Sequence, residues 1–214
     1  MREKSKGSLQ VWQIAKVNFR HNFLPWLASS VLLLLLTPVL FGTTGLDHEA
    51  AAVPLEMFIS VIGIILLTPV FWPEQDKEIQ AVVASKYIDI TCVYFIRAAY
   101  SVMSMILLVL VFSLFMFVRD CEITAGLIGG TIADAMFLGA IGLFASAVTD
   151  NLPVSLMAAF LYYVLNLTMK SRLGSFNLFA MMSGDYRPNT WLLIIGVIFI
   201  AVSILGKGWL AKKR

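Results

Sequence analysis

The sequence predicts an all-α integral membrane protein with six transmembrane helices, and three observations carry that prediction. Of its 214 residues, 59% are hydrophobic and 14% charged, against about 45–50% and about 25% in a soluble domain. The apolar residues gather in six long runs with the charges mostly in the connectors between them. The basic residues lie unevenly on the two sides that those runs define. Too little polar surface remains to coat a soluble enzyme, and a disordered tail or a collagen-like rod is equally excluded.

The elements follow in chain order. Residues 1–22 form a cytoplasmic segment in which Ser8 is a fitting N-cap. Gln13, Lys16 and Arg20 share one helical face, while Val11, Trp12, Ile14, Ala15 and Phe19 fill the other. That pattern predicts an amphipathic helix lying in the membrane interface. Residues 22–46 then carry no charge. This run is too long for the apolar core of a cleaved signal peptide, so it reads as a retained span. A bilayer core needs about 20 apolar residues as a helix, and helix is required because lipid offers no partner to backbone N–H and C=O groups. The predicted spans are 23–42, 54–73, 91–118, 124–149, 152–169 and 189–207, together a domain over 23–207. The uncharged part of the fourth, 135–149, is too short alone, so its helix is extended back past Asp134 to Thr124. A basic tail, 208–214, closes the chain.

Six crossings put both termini on one side. That side gathers Arg2, Lys4, Lys6, Lys16, Arg20, Lys77, Lys86, Lys207, Lys212, Lys213 and Arg214, against Arg119, Lys170, Arg172 and Arg187 on the other. Basic loops stay in the cytoplasm, so both termini are expected there, in the cell membrane. The net charge of +3 follows from this asymmetry and points to no nucleic acid.

Several chemistries are missing from the sequence. Cys92 and Cys121 are 29 residues apart near the ends of one span, about 43 Å along a helix and beyond disulfide reach. No spacing suggests a metal site, and no Gly-Lys-Ser or Gly-Lys-Thr closes a phosphate loop. Apart from Lys207 at the very end of the sixth, neither His nor Lys falls inside a span, where an intramembrane hydrolase would need a base. No catalytic residue is expected.

The connector between spans two and three, 73–90, reads PEQDKEIQAVVASKYIDI. Pro73 suits a first helical turn, and Glu74, Asp76 and Glu78 favour a helix N-terminus. Ile79, Val82 and Val83 give an apolar face, so a short cytoplasmic helix is expected here. Arg97 follows near the inner interface, about 33 Å of helix from Arg119.

On this acidic cluster, short helix, Ser85-Lys86-Tyr87 turn and Arg97, in a six-span chain led by an amphipathic helix, the sequence resembles the permease subunit of ABC-2 type transporters. The resemblance departs from the family in two places: the glycine after the acids is absent, and the proline after the serine is Lys86. It implies that 73–90 carries a coupling helix docking on cytoplasmic ABC ATPase subunits through Glu74, Asp76, Glu78, Ser85, Lys86, Tyr87 and Arg97. ATP and Mg would be bound by those ATPase chains, with no cofactor in this one. A second permease copy or a paralogue would complete the pathway, and export, in a bacterial inner membrane, is the family's usual work.

Asp134 is the charge singled out inside the membrane, about 15 Å below the outer end of span four, where it costs at least about 2.5–3.5 kcal/mol. It reads either as a polar contact in the pathway or subunit interface, or as a protonated carboxyl bonded to Ser or Thr hydroxyls. No internal repeat is found that would place a second acid in span one, two or three. Gly126 and Gly130 form a GxxxG pair, repeated by Ala135 and Gly139, which serves packing within the subunit or a dimer contact. Between spans five and six, LFAMM (178–182) is too short to cross. The segment at about 170–188 is expected to be re-entrant or interfacial, as an outer gate or a surface cap. Trp26, Trp72, Trp191 and Trp209 read as interfacial anchors. The competing function is a self-sufficient secondary transporter or channel that uses Asp134 for proton or cation coupling, for which paired broken helices in related halves are the expected mark.

Overall fold

A computed structural model describes residues 22–75 and 90–213. Six helices in it are long and apolar enough to cross a membrane. The chain is all-α and multi-pass. The amphipathic helix expected in residues 1–21 and most of the 73–90 connector lie outside the described residues.

The first span is α1 (Leu24–Phe41), with Pro25 in its first turn and Gly42 ending it at φ 60°. Helices stop readily on a glycine in this left-handed conformation. The second span is broken into α2 (His48–Met57), a 3₁₀ turn (Ile59–Val61), α3 (Ile62–Leu67) and a second 3₁₀ turn (Thr68–Gln75). Pro54 inside α2 removes one helical N–H, and Pro69 and Pro73 do the same further along. The remaining spans are α4 (Ile90–Val118), α5 (Ala125–Thr149), α6 (Leu152–Met169) and α7 (Arg187–Lys213). Two 3₁₀ turns, Lys170–Phe176 and Met181–Ser183, join α6 to α7.

Three boundaries differ from the sequence reading. Span two begins at His48 rather than residue 54, because Asp47 caps the helix by accepting from Ala50 N–H at 2.8 Å. Span two runs on to Gln75, with Pro73 inside its closing 3₁₀ turn, and the helix expected beyond it lies outside the described residues. The last helix runs on to Lys213 instead of ending at 207, with the small Gly208 lying against Thr91 of α4.

The core is arranged around α5, which packs against α7, α6 and α3. In the second and fourth spans 67% of the apolar stretch is buried inside the protein, against 11% in the first. The close approach is set by glycine. A Cβ on Gly63 of α3 would collide with the backbone of Ala135, and one on Gly139 would lie 2.5 Å from the Gly63 carbonyl. The outward faces are apolar instead of polar, with Leu35, Val39, Leu107, Met157 and Leu205 all exposed. Such a surface is stable only where lipid or another membrane chain covers it.

Candidate functional site

The ends of the bundle are named here by the chain: residues 22 and 213 share the terminal side, and the opposite end is the loop side. The most unusual chemistry lies towards the loop side. The early start of α2 carries Glu56 two turns into the helix, where it is 0% exposed. Its Oε1 accepts the Met181 N–H at 2.6 Å and its Oε2 the Met182 N–H at 3.2 Å. Those are the first N–H groups of the 3₁₀ turn Met181–Ser183, which the turn itself leaves without acceptors.

Side chains of α6 seat the rest of this segment. Asn166 Oδ1 accepts the Leu178 N–H at 2.9 Å, Tyr162 donates its hydroxyl to the Phe176 carbonyl at 2.7 Å, and Tyr163 meets Phe179 edge to face. Leu178, Phe179, Ala180 and Met181 are all buried. The short apolar stretch is thus tucked into the bundle instead of capping its surface. A buried loop must find partners for its backbone, and Glu56, Asn166 and, locally, Asn177 are among them.

Asp134 lies beside this segment on α5, also 0% exposed. Its Oδ1 accepts from Asn189 Nδ2 of α7 at 3.0 Å, and the same amide nitrogen reaches the Gly130 carbonyl at 3.4 Å. The partner is therefore an amide, where the sequence suggested a hydroxyl. Glu56 and Asp134 meet around Met181: Glu56 accepts the Met181 N–H, and the Met181 sulfur lies against Gly130, whose carbonyl shares the Asn189 amide with Asp134. This corrects the expectation of no second acid in the first three spans. Glu56 stood three residues into the predicted span 54–73 and was not singled out; the longer helix His48–Met57 sets it two turns in. Its signal was there to be used, as a lone acid between Leu55 and Met57 in an apolar run.

The glycine pair serves the same cluster. A Cβ on Gly126 would press on the Tyr186 ring at 3.1 Å, and one on Gly130 would run into the Met181 sulfur. Both glycines face the chain's own segment between α6 and α7. Tyr186 in turn bonds His48 at the start of α2.

On the terminal side, Arg97 is buried and donates from Nη1 to the Val70 carbonyl at 3.2 Å. Gln75 accepts the Leu152 N–H at 3.2 Å and reaches Ser146 at 3.5 Å. Lys207 of α7 pairs with Asp150, the left-handed residue that ends α5. Of the residues assigned to ATPase coupling, Arg97 is thus a buried brace on span two, and Glu74 falls in the 3₁₀ turn Thr68–Gln75. Asp76, Glu78, Ser85, Lys86 and Tyr87 lie outside the described residues. Both cysteines are free, Cys121 buried and Cys92 exposed.

Comparison with family models, with curated proteins and with solved structures gives no match for this chain.

Proposed function

We propose that this chain is the transmembrane permease subunit of an ATP-driven ABC exporter in a bacterial cell membrane. It forms half of the translocation pathway, with a second copy or a paralogue forming the other half. Separate cytoplasmic ATPase subunits bind ATP and Mg and dock on the 73–90 connector, which the terminal side presents to the cytoplasm. The observation that carries the reading is how the entry to that connector is tied down. Val70 is held by Arg97 of α4, and Gln75 bridges to the end of α5 and the start of α6. A push on the connector would therefore reach the two most buried spans directly, which is what a docking element for a motor requires. The amphipathic helix in residues 1–22 belongs to the same proposal.

The test is purification of the tagged chain from its host in mild detergent. Co-purification of a phosphate-loop ATPase, with ATPase activity lost on combining Glu74→Gln, Asp76→Asn and Glu78→Gln, supports the proposal. Solute or ion movement by the chain alone, unaffected by that triple substitution, sinks it.

A second reading, a secondary transporter or channel using Asp134 for proton or cation coupling, is favoured by one observation. Among the described residues Asp134 forms no ion pair and shares its site with another acid. Under that reading Asp134→Asn abolishes transport while the connector variant survives.

A further inference from the structure

We infer that Asp134, Asn189 and Glu56 form a binding site for a single proton, held on the Asp134 carboxyl, and that its occupancy keeps the 177–183 segment seated in the bundle. Two carboxylates within reach of one another in a low-dielectric interior repel strongly, and burying even one unpaired charge is costly. The hydrogen bonds say which of them carries the proton. Glu56 is supplied with donors on both oxygens, from Met181 and Met182, so it is placed as the acceptor. Asp134 receives one donor on Oδ1 only. Its Oδ2 and the Oδ1 of Asn189, 5% exposed, have no partner among the described residues.

The Asn189 amide cannot turn round to mend this. Its nitrogen already serves two acceptors, Gly130 O and Asp134 Oδ1, so its oxygen remains an acceptor in want of a donor. The cluster thus holds two unpartnered acceptor oxygens and no spare donor. A proton on Asp134 removes its buried charge and adds a donor.

A metal cation fits the same place poorly. Calcium and magnesium take about six or more oxygen ligands, and this cluster leaves two oxygens unpartnered. Among the described residues no three His, Cys, Asp or Glu side chains gather to hold an ion. The space is also closed: a Cβ added at Gly130 would strike the Met181 sulfur and lie 3.1 Å from Asn189 Nδ2. Among the described residues the titratable side chains of α6 at this site are Tyr162 and Tyr163, whose hydroxyls are already donated to the Phe176 and Met57 carbonyls.

Occupancy is linked to the segment through Glu56. Loss of the proton sets a second negative charge within reach of the carboxylate that holds the Met181 and Met182 N–H groups. The like charge works against burial of that cap and so against the seated segment. This inference requires neither transport reading, because it is measured on the chain alone.

The experiment uses the full chain in lipid nanodiscs. Infrared spectra over a pH series are expected to show the carbonyl band of a buried protonated carboxyl, lost in Asp134→Asn and kept in Glu56→Gln. The band should not change when sodium is exchanged for potassium. Hydrogen exchange of the 178–183 amides, corrected for the intrinsic rate, is expected to quicken as the band disappears with rising pH. In Asp134→Asn that exchange should be slow at every pH. No such band in the wild-type chain, a band governed by sodium or potassium, or exchange in Asp134→Asn that keeps the wild-type pH dependence would each overturn the inference. Where a variant fails to fold, absence of the band from the wild-type chain, or exchange of the 178–183 amides that does not follow it, still overturns the inference.

Discussion

Removing the Glu56 side chain leaves two N–H groups, buried at Met181 and partly buried at Met182, with no acceptor. Each orphaned group costs about 1–3 kcal/mol. Glu56→Ala should therefore lower the stability of the folded chain by about 2–4 kcal/mol, taking a modest value for each group. Asn166→Ala, which orphans the Leu178 N–H, should cost about 1–3 kcal/mol. Denaturant titration in mixed micelles measures both, and a loss at Glu56 no greater than at Asn166 would mean that Glu56 is not the main cap. Glycine provides a second contrast. Gly63→Ala drives a methyl into the Ala135 backbone, which cannot give as a flexible side chain can. Overpacking of this sort costs about 1–3 kcal/mol or more. Gly129 has nothing within 4 Å of an added Cβ, and Gly129→Ala should stabilise its helix by up to about 1 kcal/mol. Equal effects at the two positions would refute the close approach of α3 to α5.

At the scale of the element, the spans were legible because charges interrupt the apolar runs, and α6 (Leu152–Met169) has the bounds that the charge pattern predicts. Span two was legible only in part. Its break at Phe58–Val61 leaves the Met57 carbonyl outside the helical ladder, and the Tyr163 hydroxyl donates to it at 2.6 Å. That long-range pairing, 106 residues apart in sequence, has no local signature. Nor has the burial of LFAMM, three of whose N–H groups find acceptors on two distant helices. Tyr163→Phe should cost about 0.5–1.5 kcal/mol and loosen Phe58–Val61 while leaving the lower part of span two intact. Faster exchange spread evenly from Leu55 to Leu67 would contradict this. The GxxxG pair shows the same gap between pattern and use. Its spacing said that something approaches closely, and only the fold says that the visitors are Tyr186 and Met181 of the same chain.

At the scale of the whole molecule, polar chemistry collects at two levels with a dry seam between them. Glu56, Asp134, Asn166 and Asn189 lie towards the loop side. Arg97, Gln75, Asp150 and Lys207 lie at the terminal side. Between the levels the α3–α5 contact brings Gly63 and Leu67 against Ala135 and Gly139, a buried apolar join with no room for a methyl at either glycine. An ion crossing it would shed its hydration without finding replacement ligands, a penalty of many kcal/mol. A single copy in this conformation therefore has no polar route through its α3–α5 seam, and a pathway would have to form where copies meet. The faces free for that meeting are the apolar sides of α1, α4, α6 and α7, since the small-residue face of α5 is filled from within. Liposomes holding the chain at less than one copy per vesicle should stay tight to potassium, as read by a potential-sensitive dye. Paired single cysteines on those outward faces, but not at Gly126 or Gly130, should cross-link at higher density. Steady conduction at single-copy loading would show that the seam opens within one chain, and Gly63→Ala would then be expected to block it.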